Sequence, residues 1–207
     1  MWADPRIWQA VIAGGFVAIG WIVNGWQNRR VERRLRAEKL RDVHRALFAE
    51  IGANLATLGS IAELEDWGQG LIARMNDDPG LVPFIPREKS DRVFSTIVGE
   101  INVLPRATID AIVAYYGQLE RIAALAEDMR SPEFSALQVP RRIAVYSDYI
   151  KMKKQALEFG EFAKTMIVAY AEGGRDRAET VRKTYVPRSA ATVAPPVNSP
   201  DAGRSGQ

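Results

Sequence analysis

The chain contains no cysteine and a single histidine, His44. The first absence removes disulfides, thiol nucleophiles, iron–sulfur clusters and every cysteine-based zinc site. The second excludes, within one chain, metal sites built on two or three imidazoles, and leaves a Ser-His triad only His44 to use. Phosphate-cradling loops are missing too. There is no G-x-x-x-x-G-K-S/T, no G-x-G-x-x-G after a strand, and no G-x-S-x-G elbow. No period-two stretch long enough for a strand occurs, and no internal repeat. Carboxylates do fall at helical spacing, as in Glu63, Glu65 and Asp66 or Glu158 and Glu161. They lack the Glu-x-x-His pairs of a di-metal bundle and read as solvated faces. His44, on a helix beside arginines, reads as a solvent-facing or packing residue. Asp77 and Asp78 lack the alternating oxygen ligands of a calcium loop and read as a turn. The expectation is a protein that is not an enzyme, with no cofactor and no metal.

Hydrophobic residues make up 47% of the 207 and charged residues 26%, enough apolar material for a packed core. Residues 7–26 are almost wholly apolar, and the run then turns into Asn28-Arg29-Arg30-Val31-Glu32-Arg33-Arg34-Leu35-Arg36. About 20 apolar residues in a helix cross a bilayer core. Gln9 and Asn24 lie near the ends of this run, as do Trp8, Trp21 and Trp26, where amphipathic rings favour the interface. The net charge is +3, but residues 29–41 alone carry +5 and the rest of the chain −2. Arginines directly after a span stay on the cytoplasmic side, so the short N-terminus is expected outside and the body inside. Arg29, Arg30, Arg33, Arg34 and Arg36 are the candidate topology and lipid-headgroup residues, able to meet anionic lipid. A nucleic-acid partner is not expected, because an adjoining span makes duplex access awkward. Ala10, Gly14 and Ala18 form a small-xxx-small row suited to pairing of spans.

From residue 29 to about 75 the chain reads as one helix. Its stripe is Leu40, Val43, Leu47, Ile51, Leu58 and Ile61, with Gly68 or Gly70 the expected place to bend or end. Glu50 and Asn54 lie one turn apart and close to the stripe; they read either as a partly buried polar pair that fixes helix register or as residues at the stripe's edge that touch water, and the cost of burying a carboxylate favours the second. Asn76-Asp77-Asp78-Pro79-Gly80 is a turn, and residues 81–86 a packed, extended loop broken by Pro83 and Pro86. A short helix opens at Lys89-Ser90, with Ser90 its cap, and runs to Ile101. Pro105 starts the next helix, to about Arg130, with a seam of Ile109, Ile112, Tyr116, Leu119, Ala123 and Ala126. The last long helix runs from Pro140 to about Glu172. Its seam is Val145, Tyr149, Met152, Ala156, Phe159, Ala163, Met166 and Tyr170, ended by Gly173-Gly174. Pro187, Pro195, Pro196 and Pro200 mark a disordered tail.

The run Ser90-Asp91-Arg92-Val93-Phe94, then Ile101, Leu104-Pro105 and the stretch from Ile109 to Tyr116, resembles a pattern in a family of small bacterial single-pass inner-membrane proteins, uncharacterised in function. The likeness covers residues 7–130. It implies a bacterial inner-membrane setting, an arginine-rich juxtamembrane helix and a helical cytoplasmic region, and it carries no catalytic residue across.

The fold expected is all-α. A transmembrane anchor at residues 1–27 continues into a long helix, an elongated antiparallel three- or four-helix bundle fills 28–185, and a disordered tail follows at 186–207. In the three-helix arrangement, the segment 90–130 returns along the first helix and the last helix goes out again. The function expected is a membrane-anchored, non-enzymatic scaffold or signalling and interaction module facing the cytoplasm, with a protein partner or self-association. The alternative is a phage-like or toxin-like pore or lysis factor acting through the span.

Overall fold

The computed structural model describes residues 5–87 and 91–185, with side chains from residue 21 onward except at 100. Within these residues the chain is all-α. It forms α1 (Pro5–Leu58), α2 (Ile61–Asp77), α3 (Arg92–Ile97) with a 3-10 turn at Val98–Val103, α4 (Arg106–Asp128), α5 (Pro132–Ala136) and α6 (Val139–Thr184). The long N-terminal helix packs into a helical bundle. Among the described residues no helix is long and apolar enough to cross a membrane. Of the expected span, the side chains of residues 7–20 lie outside the described ones, as do Ala10, Gly14 and Ala18, the Ser90 cap and the tail from 186.

The first long helix breaks at Gly59-Ser60, nine residues ahead of Gly68. Gly59 sits at φ +75°, where an L side chain is strained. Ser60 then caps α2: its hydroxyl accepts from Glu63 N at 3.1 Å, and its own N–H donates to the Glu63 carboxylate at 2.6 Å. This is a reciprocal capping box, which satisfies two orphan donors and makes a fresh start cheaper than continuation. Gly68 stays inside α2, where it allows close approach. A Cβ there would lie 3.1 Å from Ile150 Cγ1 on α6.

α2 nevertheless continues the direction of α1, and α6 runs antiparallel to both. Leu55 lies against Gly160, Glu65 pairs with Lys154, Gly68 faces Ile150, and Arg142 reaches Pro79 and Leu81. α4 runs parallel to α1, since His44 meets Thr108 and Glu50 meets Tyr116. The expected path is therefore corrected. The chain is still at the far end at Pro86, which accepts from Arg130, and is back beside α1 at Val93, which donates to Glu50; α4 goes out again and α6 comes back. In the stretch 79–87, Ile85 is buried while Phe84 beside it is 86% exposed.

α6 is the central element, packed by α1, α2 and α4. Leu47, Ile51, Ile112, Tyr115, Ala163 and Met166 fill the end nearer the exposed part of α1; Met75, Ile122, Met129, Phe134, Tyr146 and Tyr149 fill the far end. The seams thus close within one chain. Tyr115, Tyr146 and Tyr149 are fully buried, each worth roughly 1.5–3 kcal/mol of apolar transfer. The buried face of α6 is wider than a heptad seam: it adds Tyr146, Ile150, Leu157 and Ile167, because three helices cover it. On α4, Ala123 faces solvent and Tyr115 and Ile122 take the inward positions. Three helices meet most tightly at Gly160, where a Cβ would lie 2.6 Å from Leu55 and 3.0 Å from the Tyr115 ring.

Gly173-Gly174 reverses the chain where an end to the helix was expected. Gly174 adopts φ +64°, ψ −151°, a region open essentially to glycine alone. The following turns fold back on α6. Ala178 is fully buried, the Tyr185 ring stacks on Phe162 at 4.0 Å, and the Tyr185 hydroxyl donates to Glu158 O at 3.3 Å.

Candidate functional site

Three features could carry function: the basic stalk, the buried histidine and the polar clasp between α1, α3 and α4. The stalk comes first in the chain. Residues 26–39 are exposed on every side of α1, including Val31 and Leu35, and packing begins only at Leu40. Fourteen residues of helix make a rod of about 20 Å. Arg29, Arg30, Arg33, Arg34 and Arg36 all project from it into solvent. Arg29 Nε donates to Gly25 O at 3.0 Å, and Arg30 lies 5.3 Å above the Trp26 ring. Arg30, Arg33, Arg34 and Arg41 line a shallow surface depression with Glu38. Such a cluster can take anionic groups; it has no enclosed volume in which to do chemistry.

His44 is buried, which resolves the earlier choice in favour of packing. Its Nε2 lies 3.1 Å from Thr108 Oγ1, and its ring meets Tyr170 edge to face at 5.6 Å. The Thr108 hydroxyl donates to Pro105 O, so its oxygen accepts from Nε2–H; that network assigns the tautomer. In this arrangement the ring gives its proton toward Thr108 and does not activate the hydroxyl. Desolvation by burial holds the imidazole down to about 4.

At the clasp the structure favours the partly buried reading of Glu50 over the water-touching one. Its carboxylate is half-buried and accepts from Val93 N at 2.6 Å, Phe94 N at 3.1 Å and the Tyr116 hydroxyl at 2.6 Å. Three donors explain how a carboxylate tolerates the position. Phe94 stacks on Tyr116 at 4.0 Å and 5° between planes. Burial pushes the neighbouring Tyr115 phenol up to about 12. Tyr116 is raised further, first by burial and then by its bond to Glu50. Both phenols stay protonated across the physiological range.

Arg142 was missed altogether. It is buried at the start of α6, donating to Leu81 O at 3.1 Å and also to Pro79 O. A signal was present: Arg141-Arg142 opens a helix, where the macrodipole disfavours cations. Of the carboxylates weighed earlier, Glu63 caps α2, Glu65 binds Lys154, and Glu161 lies 3.6 Å from Lys164. Among the described residues no group of three metal-ligating side chains converges. No family model, curated protein or solved structure matches the chain.

Proposed function

We propose that the chain is a membrane-anchored, non-enzymatic helical scaffold or interaction module. The body faces the cytoplasm, and the first 27 residues are the anchor. The observation that carries this reading is the continuity of α1. One helix without a break joins the apolar run of residues 7–26 to an exposed arginine stalk and then to the bundle core. A polar helix with no packing partner is well suited to bridging a bilayer and a folded body. The positive-inside rule sets the orientation, and the first-turn arginines beyond Trp26 are within reach of anionic headgroups. A core closed within one chain favours a scaffold over a pore, whose working surface is built between chains.

The native absence of cysteine makes topology easy to read. Single cysteines are placed at Ala3→Cys and Ser199→Cys and treated in intact cells with a membrane-impermeant maleimide. Ala3→Cys is labelled from outside, whereas Ser199→Cys is labelled only after lysis. Labelling of both in intact cells, or recovery of the protein in an alkaline soluble fraction, contradicts the reading. Dye leakage on expression brings back the pore.

A further inference from the structure

We infer that residues 175–185 are a latch with two seats. In this structure they fold back on α6. In the second state the reversal at Gly173-Gly174 straightens, α6 runs on, and the same residues lie along the bare stalk of α1. Nothing in this switch requires the membrane anchor.

The first ground is the row of side chains along α6. Ala163, Ile167 and Tyr170 pack into the core, and Gly174, Ala178, Val181 and Tyr185 follow at steps of four, four, three and four. Residues at such steps share one face of a helix. The segment is already helical to Thr184, and within α6 only the two glycines depart from helical geometry. Straightened, α6 keeps Ala178, Val181 and Tyr185 on its core-facing side.

The second ground is where that side then points. α6 is antiparallel to α1: its Tyr170 meets His44, and its Lys164 lies over Phe48. Continued at that register, residues 174–184 run beside residues 30–40. There Leu40, Ala37 and Arg33 extend the buried row of Leu47 and His44, and from residue 39 back to 26 nothing covers the helix. The straightened segment is about 16 Å long and the bare rod about 20 Å.

The third ground is how lightly the present seat holds. Within 175–185 only Ala178 is fully buried; Val181 packs on the core's edge and Tyr185 on Phe162. The Arg177–Glu172 ion pair is exposed, and such pairs contribute little. A ten-residue helix is marginal by itself. Charge keeps the latch closed. Residues 29–41 carry +5, and 175–184, with four basic and two acidic side chains, carry +2, so the stalk repels the segment. Opening moves Tyr185, and the start of the chain that follows it, by roughly 35 Å toward the N-terminal end of α1. A scaffold with this latch presents its C-terminal residues at two places.

Spin labels on Val31→Cys and Thr184→Cys read the two states in the full-length protein in detergent. Both positions are exposed and uncharged, in a chain with no native cysteine. Closed, the labels stand roughly 30 Å apart or more; open, about 15 Å. Gly174→Ala is the lever. A Cβ there meets nothing within 4 Å, so it acts only through the backbone, in a region nearly closed to alanine. It should raise the short-distance population roughly 10-fold over the parent. Salt at about 0.5 M, which screens the stalk from the latch, should raise it in both proteins. Should Gly174→Ala fail to fold, Phe162→Ala removes the ring beneath Tyr185 and should act in the same direction. An unchanged long distance shows that the reversal is fixed. A broad distribution with no short component shows that the segment detaches without a second seat. Either result overturns the inference.

Discussion

Replacing Arg142 with alanine lowers the free energy of unfolding by about 3 kcal/mol, from two charge-assisted hydrogen bonds and a buried stem. Arg142 is 4% exposed and its guanidinium joins the Pro79 and Leu81 carbonyls to α6. Without it those carbonyls lose their donors, and the stretch 79–87 loses one of its ties. Arg130, which donates to Pro86 O, still holds the other part. The expected result is a lower denaturation midpoint together with new proteolytic cleavage within residues 79–87. Arg142→Lys should fall between the two, since an ammonium lacks the planar fork that reaches both carbonyls. A change below about 0.5 kcal/mol, the range of ordinary surface substitutions, would show that the loop is held without Arg142, by Ile85, Leu81 and Arg130.

Lowering the pH from 7 to 4 removes up to about 3 kcal/mol of stability through His44 alone. The sign follows from where the proton goes. The unfolded imidazole takes it up near pH 6.5, while the buried ring, pushed down to about 4, does not. Stability from this residue is therefore complete above about 6.5, declines between 6.5 and 4, and levels off below that. His44→Gln keeps a donor for Thr108 and cannot titrate. The difference between parent and variant, measured by urea denaturation across that window, isolates His44 from the carboxylates. Parallel pH profiles for the two proteins would mean that the ring is hydrated in the folded state.

The periodic elements were legible because burial follows the period of the helix. Leu47, Ile51, Ile112, Tyr149, Ala156 and Met166 were on the expected seams and are buried. What went unseen was mostly non-periodic. Ser60 and Glu63 spell a capping box directly after Gly59, a stronger stop signal than Gly68, yet the apolar stripe runs across the break and hides it. The reversed direction of α4 could not be read from seams, which have no polarity. It depends on the chain being back beside Glu50 by Val93, before α4 begins, a contact between residues 43 positions apart. Glu50 was placed in water on the cost of burying a charge. That cost is offset by donors 43, 44 and 66 positions away, which no local pattern discloses. Arg142 left a trace, two arginines at a helix start, whose cause lies in a loop some sixty residues earlier.

In the proposed scaffold one chain closes the bundle, and the apolar N-terminal segment is a separable anchor. The most direct test compares the full-length protein with a truncation beginning at Asn28, by fractionation and by mass in solution. The expected result is a truncation that is soluble, helical and of single-chain mass, and a full-length protein that stays with the membrane. A truncation that forms dimers or larger assemblies would show that the seams close between chains. A full-length protein that leaves the membrane fraction as readily as the truncation would remove the anchor.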